Sequence, residues 1–384
     1  MRPSDLGPHL RTVRLLFSMT FLMPVVLLGA DTLRFQSTAF GTERMVIVHT
    51  PTYFKAASPA VAMPVLIVLD GQHEWFVEPV VNDIRYLQYT HEVPQALVVV
   101  VPHADRVKEA AGVDQQAMLT LLTEELPRLL EPYHPGDYRV LVGHSFTASF
   151  ALEAKVLDPD AFDAVIALSP LNRVERTLPA LAELLNHRPD DDVLLAVGGT
   201  ERTKDGGHHA SLMAVWNALP AAMGSMSIRE FPSAGHTSLP IIAFPELLST
   251  LFMAFSLRDS LAPVNDEYQL CGPPPSPVEL MAQVDRSLIF RGKRLPWEVP
   301  EINGLASRLW TGGMTDHVLA IYRRGAELYP DEYSMQWSLG EVLLERDRPA
   351  GEAALRKALQ LLDTEMMSGS ERSQLKAEIQ ALFR

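Results

Sequence analysis

The chain has 384 residues and a formal net charge of −14 at pH 7, with 47% hydrophobic and 21% charged residues. This composition is that of a globular protein with a full core, and it excludes collagen-like, coiled-coil and wholly disordered chains. An acidic chain without a basic tract does not favour nucleic acid or anionic membrane surfaces as partners. Cys271 is the only cysteine, so intramolecular disulfides and cysteine-based zinc sites are excluded, and no metal or cofactor is expected.

The first 30 residues predict a secretory signal peptide. Three arginines precede an apolar run over Leu15–Leu28, and the small residues Gly29 and Ala30 follow it. This run is shorter than the roughly 20 residues that a bilayer-spanning helix needs. We expect cleavage after Ala30 and export to the bacterial periplasm or medium, without stable membrane insertion afterwards. A retained N-terminal anchor is the alternative.

Residues 31–260 predict an α/β fold, because short apolar runs alternate with helical patterns. Helices are expected over Gln115–Leu130 and Phe146–Val156. The predicted strands are Arg44–His49, Val65–Leu69, Leu97–Val101, Arg139–Val142, Ala164–Leu168, Val193–Val197 and Ser227–Phe231. Runs that are apolar throughout are typical of strands buried on both faces, so the sheet should be mostly parallel with helices on both sides.

Residues 261–299 are expected to form a proline-rich linker, and residues 300–384 a small helical domain. Within it, Val318–Pro330 resembles the second half of a tetratricopeptide repeat, and Leu339–Leu361 resembles a whole one. About two units are too few to stand alone, so this tail should dock on another surface. A generic pair of helical hairpins is the alternative, and the tail is a candidate site for a protein partner.

The candidate nucleophile is Ser145, which lies between a predicted strand and a predicted helix in Gly143-His144-Ser145-Phe146-Thr147. A serine on such a turn is typical of the nucleophile elbow of α/β hydrolases, whose usual pattern is G-x-S-x-G. Thr147 takes the place of the last glycine, and we expect it to crowd the contact between strand and helix. The alternative is a serine that only caps the helix.

A nucleophilic serine needs a base and an acid, which in this fold follow it in the order acid, then histidine. Glu201 comes just after the predicted strand Val193–Val197, and His236 lies in the loop after the last strand. Carboxyl ends of parallel strands share one edge of a sheet, so Ser145, Glu201 and His236 should meet there. Asp205 is the alternative acid.

Several other acidic residues and histidines are not expected to take part in the chemistry. Asp191 and Asp192 precede their strand and should lie at the wrong edge of the sheet. His208 and His209 have no neighbouring ligands at metal spacing and are expected to be exposed loop residues. His144 should point into the fold rather than at substrate.

A second backbone amide is needed to hold the oxyanion. The predicted strand Val65–Leu69 is followed by Asp70-Gly71-Gln72, so the amide of Gln72, with that of Phe146, is the candidate pair. An ordinary Asp-Gly turn is the alternative.

The region from about Thr32 to Phe255 resembles the putative-esterase family of α/β hydrolases, with the siderophore (enterobactin-type) esterases as the branch most like it. The matching stretches are Val65–Gln72, Pro102–Arg106, Glu124–Pro127, Tyr138–Ser145, Pro159–Phe162, Leu168–Pro170 and Gly235–Ser238. The resemblance implies Ser145 as nucleophile, His236 as base and Glu201 as acid, with the Gln72 and Phe146 amides as the oxyanion hole. Thr147 and Ala148 depart from the family, which usually has glycines there.

The first hypothesis is a serine carboxylic-ester hydrolase that works through an acyl-enzyme on a small-molecule ester. The rivals are an acyltransferase with the same acyl-enzyme, and a non-catalytic binding or scaffold protein that acts through the tail. Trp75, Asn172 and Arg173 are expected near the substrate pocket because they follow the predicted loops at the carboxyl edge of the sheet.

Overall fold

A computed structural model describes residues 30–201, 208–220, 225–253 and 257–384. The predicted signal peptide lies outside these residues except for Ala30, and the alternative acid Asp205 lies outside them as well. Within these ranges, no helix is both long and apolar enough to cross a membrane.

The strands follow the predicted ones closely in position and extend most of them by one or more residues. They are β1 (Ala30–Gln36), β2 (Glu43–His49), β3 (Met63–Leu69), β4 (Leu97–Val101), β5 (Pro135–His144), β6 (Ala164–Leu168), β7 (Asp192–Gly198), β8 (Met226–Phe231), β9 (Ile289–Phe290) and β10 (Lys293–Arg294).

The helices fill the connections and the C-terminal part of the chain. They are α1 (Glu74–Tyr89), α2 (Arg106–Ala111), α3 (Gln115–Thr120), α4 (Leu126–Leu130), α5 (Phe146–Leu157), α6 (Val174–Leu185), α7 (His208–Asn217), α8 (Leu239–Phe252), α9 (Leu257–Leu261), α10 (Pro277–Ser287), α11 (Val299–Thr311), α12 (Thr315–Leu328), α13 (Tyr333–Leu344), α14 (Arg348–Thr364) and α15 (Gly369–Ala381). A π-helical turn, Leu121–Glu125, joins α3 to α4, so the helix predicted over Gln115–Leu130 is continuous.

Eight of the described strands form one sheet in the order β1-β2-β4-β3-β5-β6-β7-β8. Strands β3 to β8 pair in parallel, whereas β2 pairs antiparallel with both β1 and β4. The predicted α/β-hydrolase type of sheet, mostly parallel, is therefore confirmed. Strand β1 was not predicted, because this edge strand is largely exposed and has no apolar run.

The sheet carries an apolar core on each face. Successive side chains of a strand point to opposite faces, and accordingly Leu66 packs in one core and Ile67 in the other. Helices α1 and α8 cover the first face, with Phe76 and Phe244 fully buried. Helices α5 and α6 cover the second face, whose core continues into the helical tail. The prediction of helices on both faces is confirmed.

The helical tail docks on the α/β domain at the edge where the parallel strands begin. The Ser58 amide, ahead of β3, donates to the Leu328 carbonyl at 2.7 Å, and the Gln95 amide, ahead of β4, donates to the Glu298 carboxylate. The Tyr329 ring meets the Tyr53 ring edge-on at 6.4 Å. The helical tail was expected to dock on another surface, and the α/β domain of the same chain provides that surface. The tetratricopeptide assignment stays a prediction.

The segment predicted as a linker contains ordered structure. Ser276 caps α10 by accepting from the Glu279 amide at 3.3 Å, and the β9–β10 hairpin follows. Arg291 pairs with Asp192 at 3.0 Å, and the Phe290 ring lies 5.4 Å from that of Tyr138. The segment thus fastens the tail to the strand beginnings. The sequence pattern did not reveal helix α10, because the run of prolines ends at Pro277, the first residue of α10, where proline is compatible with a helix.

Candidate active site

Ser145 occupies a strained turn between β5 and α5. Its φ of 65° and ψ of −118° lie outside the regions that L-residues ordinarily adopt, and its amide donates to the Leu168 carbonyl at 2.9 Å. A Cβ at Gly143 would clash with the carbonyl of Thr147, so strand and helix approach as closely as a nucleophile elbow requires. Residues 143–147 form this elbow.

Glu201 and His236 come together as the sequence predicts. His236 Nδ1 lies 3.1 Å from Glu201 Oε2, whereas Glu201 Oε1 accepts from Ser169 Oγ at 2.5 Å and from the Gly198 amide at 2.8 Å. Burial alone would raise the pKa of Glu201, but the hydrogen bonds from His236, Ser169 and Gly198 outweigh it and lower the pKa below its ordinary value. Glu201 is therefore an anion with a fixed orientation. The positions of these residues along the sequence could not predict that orientation.

His144 holds the His236 loop against the elbow. Its Nε2–H donates to the His236 carbonyl at 2.9 Å, and the two rings lie 4.7 Å apart. Burial, and then the nearby His236, lower the pKa of His144 to about 4, so it is neutral at pH 7. His144 thus points into the fold as predicted. Its contact with His236, 92 residues away, was not foreseeable from the sequence. The hydrogen bonds of the described residues do not include one from Ser145 Oγ to His236.

The candidate oxyanion loop follows β3. Asp70 has a φ of 64°, and a Cβ at Gly71 would lie 2.8 Å from the Pro102 nitrogen, so only glycine fits there. The amides on either side of Gln72 are engaged, Gly71 with Val101 at 3.1 Å and His73 with Asp70 at 2.8 Å. Among the described residues, no acceptor takes the amide proton of Gln72 or that of Phe146.

A buried carboxylate connects this loop to the elbow. Asp70 is fully buried and binds Arg106 through two hydrogen bonds of 2.6 and 2.8 Å. Arg106 also donates to the His144 carbonyl at 2.8 Å. Burial alone would raise the pKa of Asp70, but the hydrogen bonds and charge of Arg106 hold it below its ordinary value. Arg106 was noted from the sequence only as the last residue of a stretch that resembles the family, Pro102–Arg106.

The three residues predicted near the pocket differ in their surroundings. Trp75 is 46% exposed and lies against His73 and His144, at ring distances of 5.7 and 5.6 Å, so it borders the site. The backbone amide of Asn172 donates to the hydroxyl of Ser149, which lies one helical turn after Ser145, at 3.1 Å. The Arg173 guanidinium instead binds Glu153 and Gln115 at 2.8 and 2.7 Å, which gives it a structural role.

The predictions for His208, His209, Asp191 and Asp192 can be compared with their burial and their positions in the fold. His208 is exposed as predicted, but it begins α7 and is therefore not a loop residue. The prediction is wrong on both points for His209, which is buried in α7 and lies 3.4 Å from Glu230. Asp191 and Asp192 lie at the beginning of β7, at the wrong edge as predicted. Within the ranges described, no group of three or more His, Cys, Asp or Glu side chains could hold a metal ion.

Residues 37–221 match the model of a family described as "Putative esterase". These residues belong to the putative-esterase family. The match covers Gln72, Ser145 and Glu201, whereas His236 lies beyond it. The protein is thus an esterase, a hydrolase of carboxylic esters. The family match favours this hypothesis over its rival, a non-catalytic binding or scaffold protein. No curated protein matches the sequence significantly.

Solved structures of other proteins share the fold of this esterase. An uncharacterised protein from Capnocytophaga ochracea DSM 7271 superposes with a TM-score of 0.57 at 14% identity, over 92% of this chain and 100% of that one. An IroE-like serine hydrolase from Shewanella oneidensis gives a TM-score of 0.59 at 17% identity, over 78% and 99%. At such identities the likeness shows the fold alone.

Proposed function

We propose that this esterase hydrolyses small-molecule esters through an acyl-enzyme on Ser145, with His236 as the base and Glu201 as the acid of a catalytic triad. The observation that carries the proposal is the Glu201–His236 hydrogen bond of 3.1 Å, which His144 holds beside the strained turn of Ser145. A nucleophile, a base and an oriented acid within reach of one another define the chemistry of serine hydrolases.

The reaction has two proton-balanced halves. His236 Nε2 takes the proton of Ser145 Oγ as the oxygen attacks the ester carbonyl, and the resulting imidazolium returns that proton to the departing alkoxide. Water then attacks the acyl-enzyme, with His236 again as the base, and releases the carboxylic acid and Ser145. Glu201 fixes the ring so that Nδ1 carries the hydrogen and stabilises the imidazolium.

The amides of Gln72 and Phe146 are proposed to hold the oxyanion. Both lack an acceptor among the described residues, and Phe146 begins α5, where unpaired amides and the helix dipole favour negative charge. Removing one such donor costs roughly 100- to 1000-fold in rate, so the two amides account for a large share of the rate enhancement.

Siderophore-type esters are the first substrate class to test, because the matching sequence motifs resemble that branch of the family. The exposed ring of Trp75 at the edge of the site offers a flat apolar contact for a substrate of this kind. An acyltransferase would share every residue named above. Adding an alcohol acceptor and measuring ester formation against acid release separates the two, and we expect acid release to dominate.

The test of the proposal is covalent labelling. Residues 31–384 are incubated with a fluorophosphonate, and the modified peptide is located by mass spectrometry. We expect one adduct, on Ser145, and none in Ser145→Ala or in heat-denatured protein. Ser249→Ala is the control, because Ser249 is a partly exposed serine outside the site whose hydroxyl donates to Glu92 at 3.2 Å. An adduct elsewhere, or labelling that persists in Ser145→Ala, would overturn the proposal.

A further inference from the structure

Thr147 stands in the elbow where the family pattern has glycine, and its side chain is fully buried. Instead of crowding the strand, as the sequence predicts, the side chain turns toward the loop that follows β3. Its hydroxyl accepts from the His144 amide at 2.9 Å and lies 2.7 Å from Asp70 Oδ2. The His144 carbonyl lies 2.9 Å away as a second possible acceptor. One hydroxyl thus connects the elbow to Asp70.

We propose that Thr147 is a positioning residue, which fixes the distance between the two loops that carry the oxyanion amides. This inference rests on the proposed function, because it concerns how the Gln72 and Phe146 amides reach the same oxygen. Thr147 directly follows Phe146, and Asp70 lies two residues before Gln72. The hydrogen bond between Thr147 and Asp70 therefore joins the loops next to both donors.

Asp70 is suited to this role because it is an ionised acceptor without access to water. Its two oxygens accept from Arg106, from Thr147 and, at 3.1 Å, from the Gln72 side-chain amide. A buried anion that loses a donor leaves a lone pair unsatisfied, so the groups around it rearrange. Removing the Thr147 hydroxyl should therefore displace the Asp70 loop, and with it the Gln72 amide.

The kinetic consequence differs from that of a merely structural residue. An oxyanion exists only in the transition state and the tetrahedral intermediates, so a displaced donor lowers kcat and leaves substrate binding largely intact. Thr147→Val has the same shape without the hydroxyl. We expect its kcat to fall about 10- to 100-fold, the scale of a misplacement near 1 Å, with KM within about twofold. Affinity for a trifluoromethyl ketone, which forms a tetrahedral adduct, should fall by the same factor.

Two further variants complete the design. Thr147→Ser keeps the hydroxyl and should retain kcat within about threefold, since the hydrogen bond survives. Thr177→Val is the matched control, because Thr177 is also buried and donates to a backbone carbonyl, that of Arg173, at 2.9 Å. It should lower the melting temperature without changing kcat or inhibitor affinity. If Thr147→Val does not fold, Thr147→Gly removes the same hydroxyl without the valine methyl.

The outcomes separate this inference from the proposed function. If a folded Thr147→Val or Thr147→Gly keeps wild-type kcat and inhibitor affinity while Ser145→Ala is inactive, Thr147 has no positioning role and the triad stands. The inference also fails if Thr147→Ser loses as much kcat as Thr147→Val. If Ser145→Ala keeps its activity, the proposed function falls and this inference falls with it.

Discussion

At the scale of single residues, the orientation of Glu201 depends on Ser169, whose hydroxyl donates to Glu201 Oε1 at 2.5 Å in a fully buried position. Hydrogen bonds to charged groups contribute about 1.5–3 kcal/mol, and 1.4 kcal/mol corresponds to about tenfold in rate. Ser169→Ala should therefore lower kcat by about tenfold with little change in KM, as measured by steady-state ester hydrolysis.

The titration of Glu201 itself distinguishes this effect from loss of fold. The Ser169 bond helps to lower the pKa of Glu201, so its removal should raise that pKa, which a ¹³C NMR titration of the carboxyl group follows directly. Ser211→Ala is the control, because the Ser211 hydroxyl also donates to a glutamate, Glu175, at 2.8 Å, and this pair lies outside the site. An unchanged Glu201 pKa in Ser169→Ala would show that Ser169 does not hold the Glu201 carboxylate.

The buried ion pair between Glu109 and Arg44 makes the stability of the fold depend on pH in the acid range. Its carboxylate accepts two hydrogen bonds of 2.8 Å from Arg44 and one of 2.9 Å from His103. Burial raises the pKa of Glu109, but these hydrogen bonds outweigh it and lower the pKa to about 2. Because the folded pKa is below the unfolded one of about 4.3, the stabilisation is complete above that value and is lost as the pH falls toward about 2.

Glu109→Gln should therefore lower the free energy of unfolding at pH 7 and make it less dependent on pH between about 4.5 and 2. Urea unfolding at several pH values measures both effects. Equal pH slopes for the variant and the wild type would contradict the assignment.

At the scale of elements, the close approach of β5 to α5 depends on Gly143. A Cβ there would clash with the backbone of Thr147 and Ala148, which cannot move without opening the elbow. Gly143→Ala should destabilise the fold by about 1–3 kcal/mol and lower kcat at least about 100-fold. Gly272→Ala is the control, because nothing lies within 4 Å of a Cβ at that position. Wild-type melting and turnover in Gly143→Ala would contradict this geometry.

The parallel strands of the sheet were predictable because buried parallel strands are apolar throughout, as in Leu97–Val101 and Ala164–Leu168, whose bounds match the structure. Ser145, Glu201 and His236 were then placed by their positions after strand ends. The roles of His144 and Arg106 were not predictable, since they depend on contacts between distant loops. The direction of the Thr147 hydroxyl likewise depends on Asp70, 77 residues before it.

At the scale of the whole molecule, the tail and the site lie at opposite edges of the sheet. The tail contacts Ser58 and Gln95, ahead of β3 and β4, whereas the site follows the carboxyl ends of β3, β5, β7 and β8. A change in the docking contact should therefore alter stability rather than catalysis.

Tyr329→Ala tests this separation, because Tyr329 is 1% exposed and packs against Tyr53. Loss of a buried aromatic ring costs about 3–5 kcal/mol, so thermal unfolding should begin at a clearly lower temperature. At a temperature where the variant is folded, kcat/KM should equal that of the wild type. A drop in kcat/KM in the folded variant would show that the tail supports the site across the sheet.

The role of Ser145 as the nucleophile is tested most simply by the turnover of short-chain p-nitrophenyl esters by residues 31–384, with Ser145→Ala and Ser249→Ala measured in parallel. A serine esterase predicts that Ser145→Ala falls to the uncatalysed background or close to it, whereas Ser249→Ala keeps the wild-type rate. Equal turnover by the wild type and Ser145→Ala would contradict the proposed mechanism, because the hydrolysis would then proceed without Ser145 as the nucleophile.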